Sequence, residues 1–276
     1  MEVWPDGRDT GTESTSVMEV TRQAGALGAI VTDVDLACVD DPTFGALHDA
    51  LLEHCVICIR GQSHLSPDDQ VAFSARWGRI EPHPYVPPIE GHPEIMKVYD
   101  PNPITVTWHA DFTYAKQPPA VSLLLARVIP AYGGDTMFSN GYLAYEGLSA
   151  GLRDTLDGLR AVHYATQLAI DSGMPEDEII NSHPVVCTHP ETGRRALFVN
   201  GNYTRHFDGW SVDDSQPLLD HLYAQFARFE YTWRHRWQEG DLLIWDNRCV
   251  QHAVIGDTNG QDRVLHRTTI AGGTPK

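Results

Sequence analysis

Between Val106 and Ile270 the chain reads as a succession of short apolar stretches broken by turn residues, and few folds accept such a pattern. The stretches are Val106–Tyr114, Ala120–Val128, Arg160–Ala165, Val185–Thr188, Ala196–Asn200, Tyr231–Trp237, Asp241–Trp245 and Val264–Ile270. His189-Pro190-Glu191-Thr192-Gly193 is a turn between two of them. Only two helical patterns interrupt this part, Tyr142–Leu156 and Val212–Phe229. Many strands with few helices, with no internal repeat or linker, predict a mainly β jelly-roll barrel with helices packed outside.

The first hundred residues are more mixed. Leu27–Leu36 reads as a strand with a turn, and Asp41–Glu53 as a helix with Phe44, Leu47 and Leu51 on one face. Val56–Ile59 is a short buried strand. Ser66-Pro67-Asp68-Asp69 starts a helix that runs to Trp77, with a serine cap, proline in the first turn and an acid three residues after the cap. Residues 81–104 are rich in proline and predict a lid loop. Met1–Val17 is polar and acidic, so we expect a flexible tail followed by one domain over 18–276.

Charge and cysteine usage exclude several classes. Against 37 acidic side chains stand 20 basic ones, a net charge of −17, which argues against a nucleic-acid partner. No run of about 18 apolar residues predicts a membrane span. The five cysteines are scattered, and Cys55 and Cys58 share an apolar strand with no second pair to complete a zinc site. Core thiols and a cytoplasmic location follow as expectations.

The chemistry begins at Trp108-His109-Ala110-Asp111. On a strand, residues i and i+2 face the same way, so an imidazole and a carboxylate aim together. With His252 far downstream they form a two-histidine, one-carboxylate set that leaves three positions open, the arrangement suited to non-haem Fe(II). Arg263 and Arg267 follow; in an extended strand residues 263, 265 and 267 share one face, and both guanidiniums can meet anions there. A zinc hydrolase with the same ligands would leave these arginines unexplained. A non-catalytic small-anion binding protein is the other alternative.

From Gly25 to Gly273 the chain resembles the taurine dioxygenase family (TauD/TfdA-like) of Fe(II)/2-oxoglutarate-dependent dioxygenases. The resemblance is carried by Trp-His-Ala-Asp-Phe-Thr (108–113), Gly-Gly-Asp-Thr (133–136), Thr-His-Pro (188–190), Phe-Val-Asn (198–200), Ile-Trp-Asp-Asn-Arg (244–248), Gln-His (251–252) and Arg-Val-Leu-His-Arg-Thr-Thr (263–269). It implies a double-stranded β-helix and iron ligands His109, Asp111 and His252. It implies that Thr136 and Arg263 hold the distal carboxylate of 2-oxoglutarate, and that Arg267 and His83 grip an anionic substrate. His83 is equally readable as an exposed lid residue. Tyr203 falls where the family places an aromatic wall, though a core tyrosine would look the same. Thr105 stands where taurine enzymes have a substrate-contacting asparagine, a departure from their pattern. Because Asp111 is a carboxylate, no place remains for a halide, and hydroxylation is implied. The implied partners are 2-oxoglutarate, O₂ and a small organic anion: an organosulfonate or alkyl sulfate, or alternatively an aryloxyalkanoate or other carboxylate. Family members are commonly homo-oligomers, dimers or tetramers.

Overall fold

The computed structural model describes residues 18–99, 105, 107–175 and 179–276; the expected tail and the last residues of the expected lid lie outside them. The described residues form sixteen strands in four sheets. The largest has the order β1 (Glu19–Arg22), β2 (Ala29–Thr32), β3 (Val56–Ile59), β14 (Leu242–Asp246), β6 (Val121–Val128), β16 (Val264–Ile270), β5 (His92–Tyr99), β4 (Pro88–Ile89). Its pairs are antiparallel except β2 with β3. A three-stranded sheet has the order β13 (Thr232–His235), β7 (Thr136–Asn140), β15 (Val250–Val254). Outside these lie a sheet of β12 (Thr204–Phe207), β8 (Arg160–Tyr164) and β9 (Ile180–Pro184), and the pair β10 (Val186–Thr188) and β11 (Arg195–Leu197).

The burial pattern explains the layering. Strands β3 and β14 are buried at every position and read as continuous apolar runs because both faces of the large sheet are covered. On one face Ile57, Ile59, Leu123, Leu125, Leu242 and Ile244 pack under helices α1 (Asp41–His54) and α2 (Pro67–Ala75). On the other, Leu124, Ala126, Leu243, Trp245 and Leu265 meet Phe138 and Val250 of the three-stranded sheet. Two sheets closing on one shared core give the expected jelly roll. Leu243 is fully buried, so truncating it to alanine costs about 2–5 kcal/mol.

Helix α2 starts as expected: Ser66 and Asp69 form a reciprocal capping box, though the helix ends at Ala75 rather than Trp77. Four departures stand out. The single helix expected over Tyr142–Leu156 is two, α3 (Gly141–Glu146) and α4 (Ala150–Leu156), because Gly147 closes the first and Ser149 caps the second. The later helix α6 (Val212–Phe226) follows the short α5 (Gln167–Asp171) and stops before a 3₁₀ turn at Phe229–Tyr231. Part of the proline-rich stretch is strand, since β5 pairs with β16 along Lys97, Val98 and Tyr99. Finally, no regular strand follows Thr107: His109 makes an isolated bridge, turns occupy the residues after Ala110, and Phe112 takes a positive φ of 46°. Val106 is outside the described residues. Of the cysteines, Cys55, Cys58, Cys187 and Cys249 are buried free thiols and Cys38 is exposed. Among the described residues no helix is long and apolar enough to cross a membrane.

Candidate active site

The bridge at His109 assembles the site. His109 donates its backbone N–H to the His252 carbonyl at 3.1 Å and accepts from the His252 N–H at 2.8 Å, extending the three-stranded sheet by one residue. The two imidazoles therefore lie side by side, ring centroids 4.3 Å apart. Asp111 follows where the chain turns, so the ligand atoms offered by His109, Asp111 and His252 fall within 4.8 Å of one another. They face together because bridge and turn place them, rather than the strand periodicity expected from the sequence.

Each member is held in a metal-binding state. His109 Nδ1 lies 2.9 Å from the Thr107 carbonyl, which places the ring proton there and leaves Nε2 as a free donor pair. Burial disfavours the imidazolium form: it lowers His109 and, reinforced by the neighbouring His109, brings His252 to about 3. The His252 ring is gripped by packing, 4.9 Å from Trp245 and stacked on Phe138 at 6.2 Å. Burial alone would raise the Asp111 carboxyl, but the Arg267 guanidinium, aided by His252 and His109, overrides it and holds Asp111 ionised well below the usual carboxylate range. Two neutral imidazoles and a carboxylate at this spacing fit a divalent first-row metal with open positions.

Arg263 and Arg267 are separated by a register irregularity between Val264 and Leu265 and reach different places. Arg263 is 5% exposed. Its Nη2 lies 3.4 Å from Thr136 Oγ1, its Nε has no partner, and its guanidinium lies 5.5 Å from the centre of the Trp237 ring. No carboxylate pairs with it among the described residues, and burial brings it down to about 10. Thr136 Oγ1 accepts from Trp237 Nε1 at 3.1 Å as well as from Arg263, so its own proton is left to donate outward. A buried cation beside a poised hydroxyl fits a carboxylate from outside. Gly134, at a φ of 69°, makes room: a Cβ there would lie 2.9 Å from Arg263 Cδ.

Arg267 is engaged. Its Nη2 donates to Asp111 Oδ2 at 2.6 Å and to Ser122 Oγ at 2.9 Å, and its Nε to Thr269 Oγ1 at 3.2 Å. Thr269 and His83 both line a cavity of about 300 Å³ walled by Phe112, Tyr114, Met174 and Pro119, with Glu81 and Lys116 also lining it. His83 Nδ1 accepts from the N–H groups of Val86 at 3.0 Å and Tyr85 at 3.3 Å, so its proton sits on Nε2. Burial, with Arg267 nearby, lowers His83 to about 4. Tyr203 is buried with its ring 6.1 Å from His109 and 5.2 Å from Tyr114. The Thr105 hydroxyl accepts from the Gly256 N–H at 3.1 Å; like Arg267 and Tyr203, Thr105 is not among the residues lining that cavity.

Three residues were given no role by the sequence reading, although two of them lie in its Ile-Trp-Asp-Asn-Arg motif (244–248). Ser122, Trp245 and Asn247 are buried behind Asp111, and Asn247 links to all of them. For Ser122 the signal was a lone hydroxyl in the apolar run of β6.

A jelly roll that gathers these donors at the end of its smaller sheet, next to a buried unpaired arginine, defines a metal- and 2-oxoglutarate-dependent dioxygenase. Residues 19–269 match the family described as "Taurine catabolism dioxygenase TauD, TfdA family", and the chain belongs to that family. It is 35% identical to an alkylsulfatase of Acinetobacter baylyi over 277 residues, covering 94% of this chain and 86% of the relative. It is 36% identical over 274 residues to an alpha-ketoglutarate-dependent sulfate ester dioxygenase of Pseudomonas putida, covering 94% and 91%. A crystal structure of a taurine dioxygenase from Burkholderia xenovorans superimposes with a TM-score of 0.84 at 36% identity, covering 94% and 90%. The chain is therefore an oxidoreductase that uses iron, 2-oxoglutarate and O₂.

Proposed function

We propose that this dioxygenase hydroxylates a small organic anion, an alkyl sulfate or organosulfonate. In this reading His109, Asp111 and His252 hold Fe(II), Thr136 and Arg263 hold the far carboxylate of 2-oxoglutarate, and Arg267 with His83 receives the head group of the substrate. The observation that carries the anionic substrate is the Arg267 guanidinium beside Asp111 with the His83 Nε2–H nearby. The buried Arg263 guanidinium without a carboxylate, beside the outward proton of Thr136, supports the co-substrate end.

The iron supplies activation of O₂, coupled to decarboxylation of 2-oxoglutarate to succinate and CO₂ and to hydroxylation of a substrate C–H bond. The protein positions the partners. Arg263 and Thr136 fix the co-substrate at its distal end. Arg267, bonded to Thr269 of the cavity lining, offers a cation beside Asp111, and His83 offers an Nε2–H from the lining itself, so an anionic head has two donors to meet. Phe112, Tyr114 and Met174 give the body of the substrate an apolar wall, and Tyr203 backs His109. Anchoring the head decides which carbon lies near the metal. Hydroxylation at the carbon bearing a sulfate ester oxygen leaves a product that collapses to a carbonyl compound and sulfate. The names of the two sulfate-ester relatives support this substrate class over an aryloxyalkanoate. Thr105 has no assigned contact in this arrangement.

The same reading treats residues 18–276 as one oxygenase domain, places the protein in the cytoplasm and expects a homo-oligomer of two or four chains, which sedimentation tests. The central experiment is anaerobic reconstitution with Fe(II) and 2-oxoglutarate, followed by O₂ and a panel of alkyl sulfates, sulfonates and aryloxyacids. We expect a weak visible charge-transfer band and succinate formation stimulated by the sulfates or sulfonates. Stimulation by aryloxyacids alone would overturn the substrate class, and a folded, iron-loaded protein without the band would overturn the site.

A further inference from the structure

The two oxygens of Asp111 stand in unequal surroundings. Oδ2 accepts from Arg267 Nη2 at 2.6 Å and from Ser122 Oγ at 3.0 Å, whereas Oδ1 faces His252, 3.8 Å from Nε2. Ser122 is fully buried on β6. Its oxygen accepts from Asn247 Nδ2 at 3.0 Å and from Arg267 Nη2 at 2.9 Å. Those two donors occupy both lone pairs of the hydroxyl, so its only proton is committed to Asp111. Asn247 is itself fixed: its Oδ1 accepts from the Asp111 backbone N–H at 3.3 Å and from Trp245 Nε1 at 3.0 Å. A flipped amide would set N–H against both donors and turn an acceptor toward Ser122. Every proton in the chain Trp245, Asn247, Ser122, Asp111 therefore has one consistent direction.

We propose that Asn247 and Ser122, together with Arg267, form a clamp that occupies Oδ2 and commits Asp111 to the metal through Oδ1 alone. The inference rests on the triad reading above. A carboxylate free to turn could offer both oxygens and take a position that co-substrate or O₂ needs; one oxygen and two imidazoles leave three positions open. Asn247 and Ser122 are positioning residues: they touch neither substrate nor co-substrate and act through Asp111.

The test loads the wild-type chain and the variants Ser122→Ala, Ser122→Thr and Asn247→Asp with Co(II), then titrates 2-oxoglutarate while following visible absorption and thermal unfolding. Ser122→Ala removes the hydroxyl, Ser122→Thr keeps it, and Asn247→Asp keeps the acceptor contacts but loses the N–H toward Ser122. We expect Ser122→Ala and Asn247→Asp to alter the Co(II) spectrum and weaken 2-oxoglutarate binding about tenfold, the low end for losing a partner of a metal ligand. Ser122→Thr should stay near wild type in both. If Ser122→Ala fails to fold, Asn247→Asp set against Ser122→Thr decides. An unchanged spectrum and unchanged affinity, with only a lowered melting temperature, would reduce the network to ordinary core hydrogen bonds and overturn the clamp. A wild-type chain that binds no Co(II) would instead overturn the triad, a result distinct from failure of the clamp.

Discussion

Arg263 and Arg267 lie four residues apart, one just before β16 and the other within it, and their surroundings are opposite. Arg267 meets a carboxylate and two hydroxyls; Arg263 meets one hydroxyl and an indole face, with its Nε unpartnered. Burying a guanidinium without an anion is costly, and proteins retain such a group where an anion arrives from outside. A buried arginine already paired holds the fold and tunes its partner. The difference assigns the two regions separate tasks: the Arg263 end is built to be completed by a co-substrate, while the Arg267 end is already wired to a candidate metal ligand before any substrate head group reaches it.

The sharpest way to break this contrast is Asp111→Ala, which leaves Arg267 as stranded as Arg263. Turnover should be abolished, as read by succinate formation. Leaving one buried charge unpaired should also lower stability by about 3–5 kcal/mol in denaturant unfolding. A variant retaining full turnover would remove Asp111 from the triad. Next comes Arg263→Ala. Deleting a charge with no internal partner should leave thermal stability nearly unchanged, yet raise the KM for 2-oxoglutarate about 10–100-fold, the worth of one or two charge-assisted bonds. The KM for the organic anion should move less than about twofold, since Arg263 is not assigned to it. Equal effects on both substrates would show that the two regions do not divide the labour.

The smallest effect is a matter of pH. His83 titrates near 4 rather than at its ordinary 6.5 because it is buried and near Arg267. Its folded value is depressed, so the unfolded chain takes up the proton first as pH falls. Stability contributed by His83 is thus present above about 6.5 and lost between there and about 4. Between pH 6 and 8 the residue stays neutral, and the KM for the anionic substrate should be flat in steady-state assays; a steep fall in KM toward pH 6 would show that His83 binds the head group as a cation.

The sequence was most legible where local chemistry and burial agree. The Ser66–Asp69 cap and the apolar β14 run could each be read from neighbouring residues, and both occur. His109 and Asp111 do come together, but through a bridge and a turn rather than the strand periodicity read from their spacing. The strand expected over Val106–Tyr114 failed because the chain turns once His109 has paired with His252, a contact no local pattern encodes. β5 was hidden by surrounding prolines and formed only because β16 offers it a partner. The break at Gly147 and Ser149 was written in the chain as a helix stop followed by a cap, and apolar periodicity on either side obscured it. Arg263 and Arg267 looked equivalent in sequence. Only tertiary structure gives one of them a carboxylate, because Asp111 and Ser122 arrive from distant segments.

The pairing of His109 with His252 also bears on how the molecule is made. That single bridge closes a loop of well over a hundred residues, so the donor set is brought together only after the chain ends of the smaller sheet have found each other. An ion has little to grip in the disordered chain and cannot speed the early search. Once held, an ion would join segments that must separate for the sheet to open, so we expect added metal to slow unfolding and leave the folding rate almost untouched in kinetic traces with and without the ion.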